Sequence, residues 1–294
     1  MSVIGSTFRS VLSASNLSKS IINKRAAFTG KSTTSSDPPE KNKNKQCLSK
    51  KCQPSRAASS GTAAAGVPES PPVICRPCQP SDRDAMIDFM STRFVTREPL
   101  MKAIGATPNN SSLFVEHCID ESILQGASFL ALDSETGRIC GVRLNGVGPP
   151  SPLEKECDFG TTINAIPKFL DDVEGDMASL LNTDQFMRHI AICVEQSSSQ
   201  CGIATQLMIM SVQFAKQEQL KYLTAMCSWS LPYKLSLKMG FKVVREISYS
   251  DYAKNHAHPS MVQRFMELAK KEEAARVMYC CQESTPATNS IYPH

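Results

Sequence analysis

The chain has 294 residues, 41% of them hydrophobic, enough for one substantial core or two small ones. No apolar run approaches the ~20 residues of a membrane-spanning helix, which argues against membrane insertion. The formal net charge of +4 hides an asymmetry: residues 1–69 carry eleven Lys/Arg against three acids, leaving 21 basic and 25 acidic residues in the remainder, a balance suited to a small cationic ligand rather than to nucleic acid.

In chain order, residues 1–70 read as a linker, rich in Ser, Lys, Asn and Pro and closing on the small-residue run from Ala57 to Gly66. The first 36 residues contain no acid, and Ile4, Phe8, Val11 and Leu12 share one helical face beside Arg9. That composition fits a mitochondrial presequence and equally a basic tail. The protein is therefore expected inside the cell, in the cytoplasm or the mitochondrion. Residues 71–283 form the expected domain and 284–294 a C-terminal tail.

Within the domain, Val73 to Arg76 reads as a strand and Ala85 to Phe94 as a helix that opens after Ser81-Asp-Arg-Asp84. Glu98-Pro99-Leu100 breaks the chain, and helical spacing resumes from Ser111 to Leu124. Ser128 to Leu132 and Ile139 to Leu144 are short apolar runs around a polar turn, a hairpin signal. A helical patch runs from Asp171 to Leu181 inside the polar stretch Pro149 to Asp184. A strand ending at Val194 then leads through a small polar loop into a helix with Ile203, Leu207, Met210 and Phe214 on one face. After a strand from Tyr222 to Met226 and a short helix come a strand from Lys242 to Tyr249, a helix from Pro259 to Ala275, and Arg276 to Cys280 as closing strand. The order is that of an α/β protein with one mixed sheet.

The twelve cysteines do not compose a metal site. Cys75-Arg-Pro-Cys78 is the one pair at ligand spacing and has no second pair to complete a tetrahedron. Alternation explains Cys75 as a half-buried strand residue, and the absence of a secretory signal points to reduced thiols. His256-Ala-His258 lies in a Pro-flanked loop without a third ligand, so no metal is expected.

The segment from Ile190 to Leu207 carries the chemistry. A strand that runs through a loop into a helix presents free backbone N–H groups and the positive end of the helix dipole, a cradle for pyrophosphate, and Gly202 admits a phosphate close to the chain. With the later Cys227-Ser228 and Met239-Gly240-Phe241, this order resembles the GCN5-related N-acetyltransferases. Arg97-Glu98-Pro99-Leu100 and Tyr249-Ser-Asp-Tyr252 are similar to the arylalkylamine N-acetyltransferases of invertebrates. The resemblance covers roughly Val73 to Val277.

It implies a mixed, mostly antiparallel central sheet with helices on both faces, and transfer of acetyl from acetyl-CoA to the primary amine of a small arylalkylamine by a monomer. Ile192, Cys193 and Val194 would pair with the pantetheine arm, and Ser199, Gln200, Cys201, Gly202, Ile203 and Ala204 would hold the pyrophosphate. Glu98 would accept the amine proton; an ion pair with Arg97 is its ordinary alternative. Ser228 matches the first serine of the family's last motif. The tyrosine position there holds Leu231 and the second serine is Pro232, which leaves Tyr233, if the proline shifts the helix start, as proton donor to the thiolate. Ser199 and Gln200 also depart from the family's Arg/Gln and Gly, and Gln200 is expected to reshape the loop. A protein of this fold that binds without turnover is the alternative reading.

Overall fold

The structure, a computed structural model, describes residues 72–150 and 157–282. The N-terminal segment with its presequence reading and the tail 284–294 lie outside these residues.

Seven strands form one sheet in the order β1-β2-β3-β4-β5-β7-β6. They are β1 Val73–Pro77, β2 Phe129–Asp133, β3 Ile139–Val147, β4 Phe186–Val194, β5 Tyr222–Cys227, β6 Lys242–Ser248 and β7 Ala274–Cys281. Every neighbouring pair is antiparallel except β4 and β5. A parallel pair needs a crossover, supplied by helix α6, Ile203–Gln217.

The helices divide between the two faces. On one lie α1 Arg83–Phe89, α2 Pro99–Ile104, α3 Ser112–Gln125, α4 Ala165–Glu174, α5 Met177–Leu181, α8 Tyr249–Asn255 and α9 Val262–Ala269, packed around Leu130, Val142, Leu144 and Val277 of the sheet. On the other, α6 and α7 (Ser230–Lys238) cover Phe129, Ala131, Met187, Leu223 and Met278. On α6, Ile203, Leu207 and Phe214 are buried as their spacing predicts; Met208 is buried as well, and Met210 only partly. Gly141 of β3 lets α6 approach: a Cβ there would fall 2.8 Å from Ile203 Cγ2.

Four boundaries differ from the sequence reading, each for a local reason. The expected helix from Ala85 to Phe94 starts at Arg83 and ends in a π-helical turn, Met90–Phe94. Thr92 and Thr96 hydroxyls donate to carbonyls four residues back, Asp88 O and Thr92 O, in competition with regular helix bonding. The patch from Asp171 to Leu181 is two helices, parted at Gly175 with φ +60°. Tyr249 is not the end of a strand: Ser248 caps a helix there, accepting from Asp251 N–H at 3.0 Å. The helix assigned to Pro259 through Ala275 ends at Ala269, and Ala274 and Ala275 belong to β7.

Gly141→Ala is expected to push α6 off the sheet and lower stability by about 1–3 kcal/mol, read from the denaturant midpoint; an unchanged midpoint would show that the contact yields without cost.

Candidate active site

The β4–β5 pairing stops at His189 opposite Ala225, although β4 continues to Val194 and β5 to Cys227. Opposite the shift between Leu144 and Asn145 on β3, Ile190 is the extra residue on β4, a bulge that turns the strand away. From there the two parallel strands splay, and one edge of β4 loses its partner. Glu195 N–H bonds to Cys140 O of β3 at 2.8 Å. By antiparallel alternation, the backbone groups of Val194 and Ile192 face the open edge and those of Cys193 face β3. The Val194 carbonyl accepts from Arg97 Nη2 at 2.6 Å.

A cavity of about 200 Å³ occupies the split. Its wall draws on both cores, with Phe94, Phe159 and Ile166 from one and Ala225 and Cys227 from the other, so it passes through the sheet. Glu98 and Ser228 meet in this cavity. Glu98, 6% exposed, is the N-cap of α2, where Oε2 accepts the Met101 N–H at 2.6 Å. Pro99 fits the first helical position because no partner exists there for its missing N–H. Ser228 Oγ donates to Glu98 Oε1 at 2.6 Å. Burial pushes the Glu98 carboxyl above the ordinary carboxylate range, opposed by the bonds from Ser228 and from backbone N–H groups. The ion pair with Arg97 is not made, since that side chain also bonds Arg93 O and Cys193 Sγ.

Tyr249 supports the pair from behind: its hydroxyl donates to Ser228 O at 2.5 Å. Its ring stacks on Phe169, whose edge contacts Tyr252, and Tyr252 donates to Asp172 at 2.9 Å. Phe169, Tyr249 and Tyr252 are almost fully buried. The Tyr249-Ser-Asp-Tyr252 motif thus has a structural purpose that sequence alone did not disclose.

Pro232 is the third residue of α7, which starts at Ser230, so the proline does not displace the helix start. It lines the cavity; Tyr233 does not, and its ring lies under the Arg276 guanidinium at 4.5 Å. Leu231 is exposed.

Past the mouth of the split, Gly202 is the N-cap of α6 at φ +78° and offers no side chain to the first N–H groups. The first backbone bond of the helix runs from Gln206 N–H to Gly202 O, so the N–H groups of Ile203, Ala204 and Thr205 have no helical acceptor. A Cβ on Gly202 would meet no protein atom within 4 Å. Gln200 takes φ +69°, the left-handed conformation that glycine adopts freely. A non-glycine residue held in this conformation carries strain of about 1–2 kcal/mol. Ser199 Oγ bonds Gln196 O, and Cys201 is exposed.

Sequence reading missed several polar groups of the cavity wall, among them the buried Arg143, Arg188, His189 and Ser236 and the half-buried His117. Arg143 sits on β3 and His189 at the vertex of the split, while His117 sits on α3 beside Phe159. An Arg inside an apolar strand is the one signal that the sequence held.

No protein-family model and no curated protein matches the chain in sequence. Solved structures do match. Arylalkylamine N-acetyltransferase 2 from Aedes aegypti is similar at TM-score 0.61 and 19% identity, over 71% of this chain and 98% of that one. The polyamine N-acetyltransferase of Drosophila melanogaster, described as forming N-acetylagmatine, aligns at TM-score 0.60 and 17% identity over 72% and 100%. The C-terminal condensation domain of Ebony, in complex with beta-alanyl-dopamine, aligns at 0.61 and 16% over 72% and 100%. The fold is that of the GCN5-related N-acetyltransferases, as the motifs imply.

A carboxylate whose pKa is raised by folding favours its protonated form, so its contribution to stability is present below the unfolded pKa of about 4.3 and lost as pH rises through the folded value. Glu98→Gln cannot ionise. Wild-type stability relative to this variant is therefore expected to fall as pH rises above about 4.3 in thermal denaturation; a difference that stays constant would mean a solvated carboxylate.

Proposed function

We propose that the protein is an N-acyltransferase that uses acetyl-CoA to acetylate the primary amine of a small arylalkylamine, of the dopamine, serotonin, tyramine and octopamine class. The observation that carries this reading is the Glu98–Ser228 pair, buried in a cavity that crosses the sheet where β4 and β5 part. The donor's pantetheine arm adds to the free edge of β4 at Ile192 and Val194, with its pyrophosphate on the N–H groups from Gly202 to Ala204. The amine enters from the opposite face, where Phe94, Phe114 and Phe159 line the cavity and can pack against an aromatic ring.

An ammonium has no lone pair, so the amine must lose its proton before attack. The raised pKa of Glu98 makes it a stronger base than a surface carboxylate. Ser228, already donating to Glu98, can take the proton on its oxygen and hand its own to the carboxylate. Attack on the thioester carbon puts charge on the carbonyl oxygen, and the Ile192 N–H faces that charge from the open edge. The C–S bond then breaks and the thiolate leaves. Tyr233 lies off the cavity, and a CoA thiolate is a tolerable leaving group without an acid. The thioester and amine, held together, also escape the entropic cost of encounter.

Glu121, Asp171 and Glu174 line the same cavity. They favour a second reading in which the amine carries another cation at its far end, as a polyamine does. Competition between an aromatic monoamine and a diamine of similar length separates the two readings.

Glu98→Gln is expected to lower turnover at neutral pH by roughly 10²-fold with little change in donor affinity, and the defect should shrink as pH approaches the pKa of the amine. A defect constant across pH would assign the carboxylate to substrate positioning. Binding without release of free CoA, for every amine tested, would leave the non-catalytic reading.

Gly202→Val strains the left-handed cap and fills the open space above it. Loss of acetyl-CoA binding in calorimetry is expected, and undiminished affinity would remove the loop from the site. Acetyl-CoA should also slow alkylation of Cys201.

A further inference from the structure

Arg143 takes no part in the proton path through Glu98, yet it is a cation only 4% exposed. It lies on the face of the sheet that α6 covers. Its Nε donates to Asn145 Oδ1 at 3.2 Å, and Asn145 Nδ2 donates to Ser211 Oγ of α6 at 3.1 Å. Among the described residues its Nη2 is buried without a partner, and so are both ring nitrogens of His189, 5% exposed. Among the described residues no carboxylate pairs with Arg143. Burial pushes its pKa down only to about 9, so it remains charged at neutral pH. Burial first, and Arg143 second, hold His189 far below its ordinary value, leaving a neutral ring with one N–H to donate. A buried cation without a counter-ion is costly, and the position gains most from an anion brought by a ligand.

Geometry selects which part of a ligand reaches it. Arg143 is the cross-strand partner of Ile192, and His189 is the last β4 residue paired before the split; both line the cavity. Ser199 to Ala204, at the far end, contribute nothing to its wall. In the acyltransferase reading, on which this inference rests, pyrophosphate stays at Gly202 and the pantetheine arm runs toward the closed end. The acyl group is then the part that arrives at Arg143.

We propose that the closed end of the split is an acyl-selecting subsite, and that the preferred donor is a CoA thioester whose acyl chain ends in a carboxylate, of the malonyl or succinyl class. The carboxylate seats on Arg143 Nη2 with the His189 N–H beside it. The amine nitrogen bonds to the thioester carbon, the C–S bond breaks, and CoA leaves as thiolate. One proton of the ammonium goes to Glu98 before attack, the second, left on nitrogen once the C–N bond forms, goes to the departing thiolate, and the products are free CoA and an amide with a free carboxylate.

The test measures free-CoA release and calorimetric binding for acetyl-, malonyl- and succinyl-CoA with one aromatic amine, on the full chain. Wild type is expected to favour a carboxylate-ended donor over acetyl-CoA by roughly tenfold or more in kcat/KM, the discrimination of one charge-assisted hydrogen bond. Arg143→Met should reverse that preference and raise the melting temperature, since it removes an uncompensated buried charge. Arg143→Lys, which keeps the charge, should retain part of the preference. Should the Met variant fail to fold, the thermal shift of wild type decides: a larger shift with malonyl- or succinyl-CoA than with acetyl-CoA supports the subsite, and equal shifts overturn it. Transfer from acetyl-CoA with no advantage for the longer donors, and the same ratio in Arg143→Met, overturns the subsite and leaves the acyltransferase. If no CoA thioester binds, both fall.

Discussion

The parting of β4 from β5 is the constraint on which the rest of the molecule depends. A parallel pair in the middle of a sheet is ordinarily closed along its length, because an unpaired backbone edge away from water costs free energy. Here the bulge at Ile190 ends the pairing at His189, while β3 on one side and β7 on the other keep both strands extended. Ile192 and Val194 are left with backbone groups that demand a partner. An amide-bearing chain laid along β4 would supply one, as the proposed pantetheine arm would. Arg97 meanwhile satisfies the Val194 carbonyl.

The opening would be an empty gap without a group to do chemistry beside it. Helix α2 starts at Glu98, and its first N–H groups hold that carboxylate in place; Ser228, just after β5, holds it from the other side. Residues 130 positions apart are thus joined by one hydrogen bond. The aromatic cluster of Phe169, Tyr249, Tyr252 and Phe265 fixes the Ser228 backbone through the Tyr249 hydroxyl. The same burial that makes the Glu98 carboxylate costly raises its pKa toward the range useful in a base.

The cavity is chemically unlike at its two faces. On the α1 to α4 face it is aromatic and apolar with carboxylates among the lining residues, the chemistry that the proposed amine would need. On the α6 face it ends on Arg143 and His189, whose Nη2 and ring nitrogens are buried without a partner among the described residues. The fold does not fix the acyl group, since the structures that share it include N-acetyltransferases and a condensation domain.

The sequence by itself determined the order of the strands and the strand-loop-helix segment at Gly202, because these rest on local rules, alternation and glycine before a helix; Glu98 was singled out by a resemblance to a family motif. Gly202 is legible within six residues of chain, whereas Glu98-Pro99-Leu100, read as a break, opens a helix. Helix α8 was not legible, since Tyr249 to Tyr252 suit a strand by composition and only the Ser248 cap turns them. The place of Tyr233 was not either, because which side of a short helix faces a cavity depends on what packs behind it, here Arg276 of β7. Tertiary structure alone decided the Glu98–Ser228 bond, the burial of Arg143 and the depth of the split. Each is a relation between segments far apart in the chain, and the energies that fix them, desolvation and cross-strand hydrogen bonding, exist only once those segments meet.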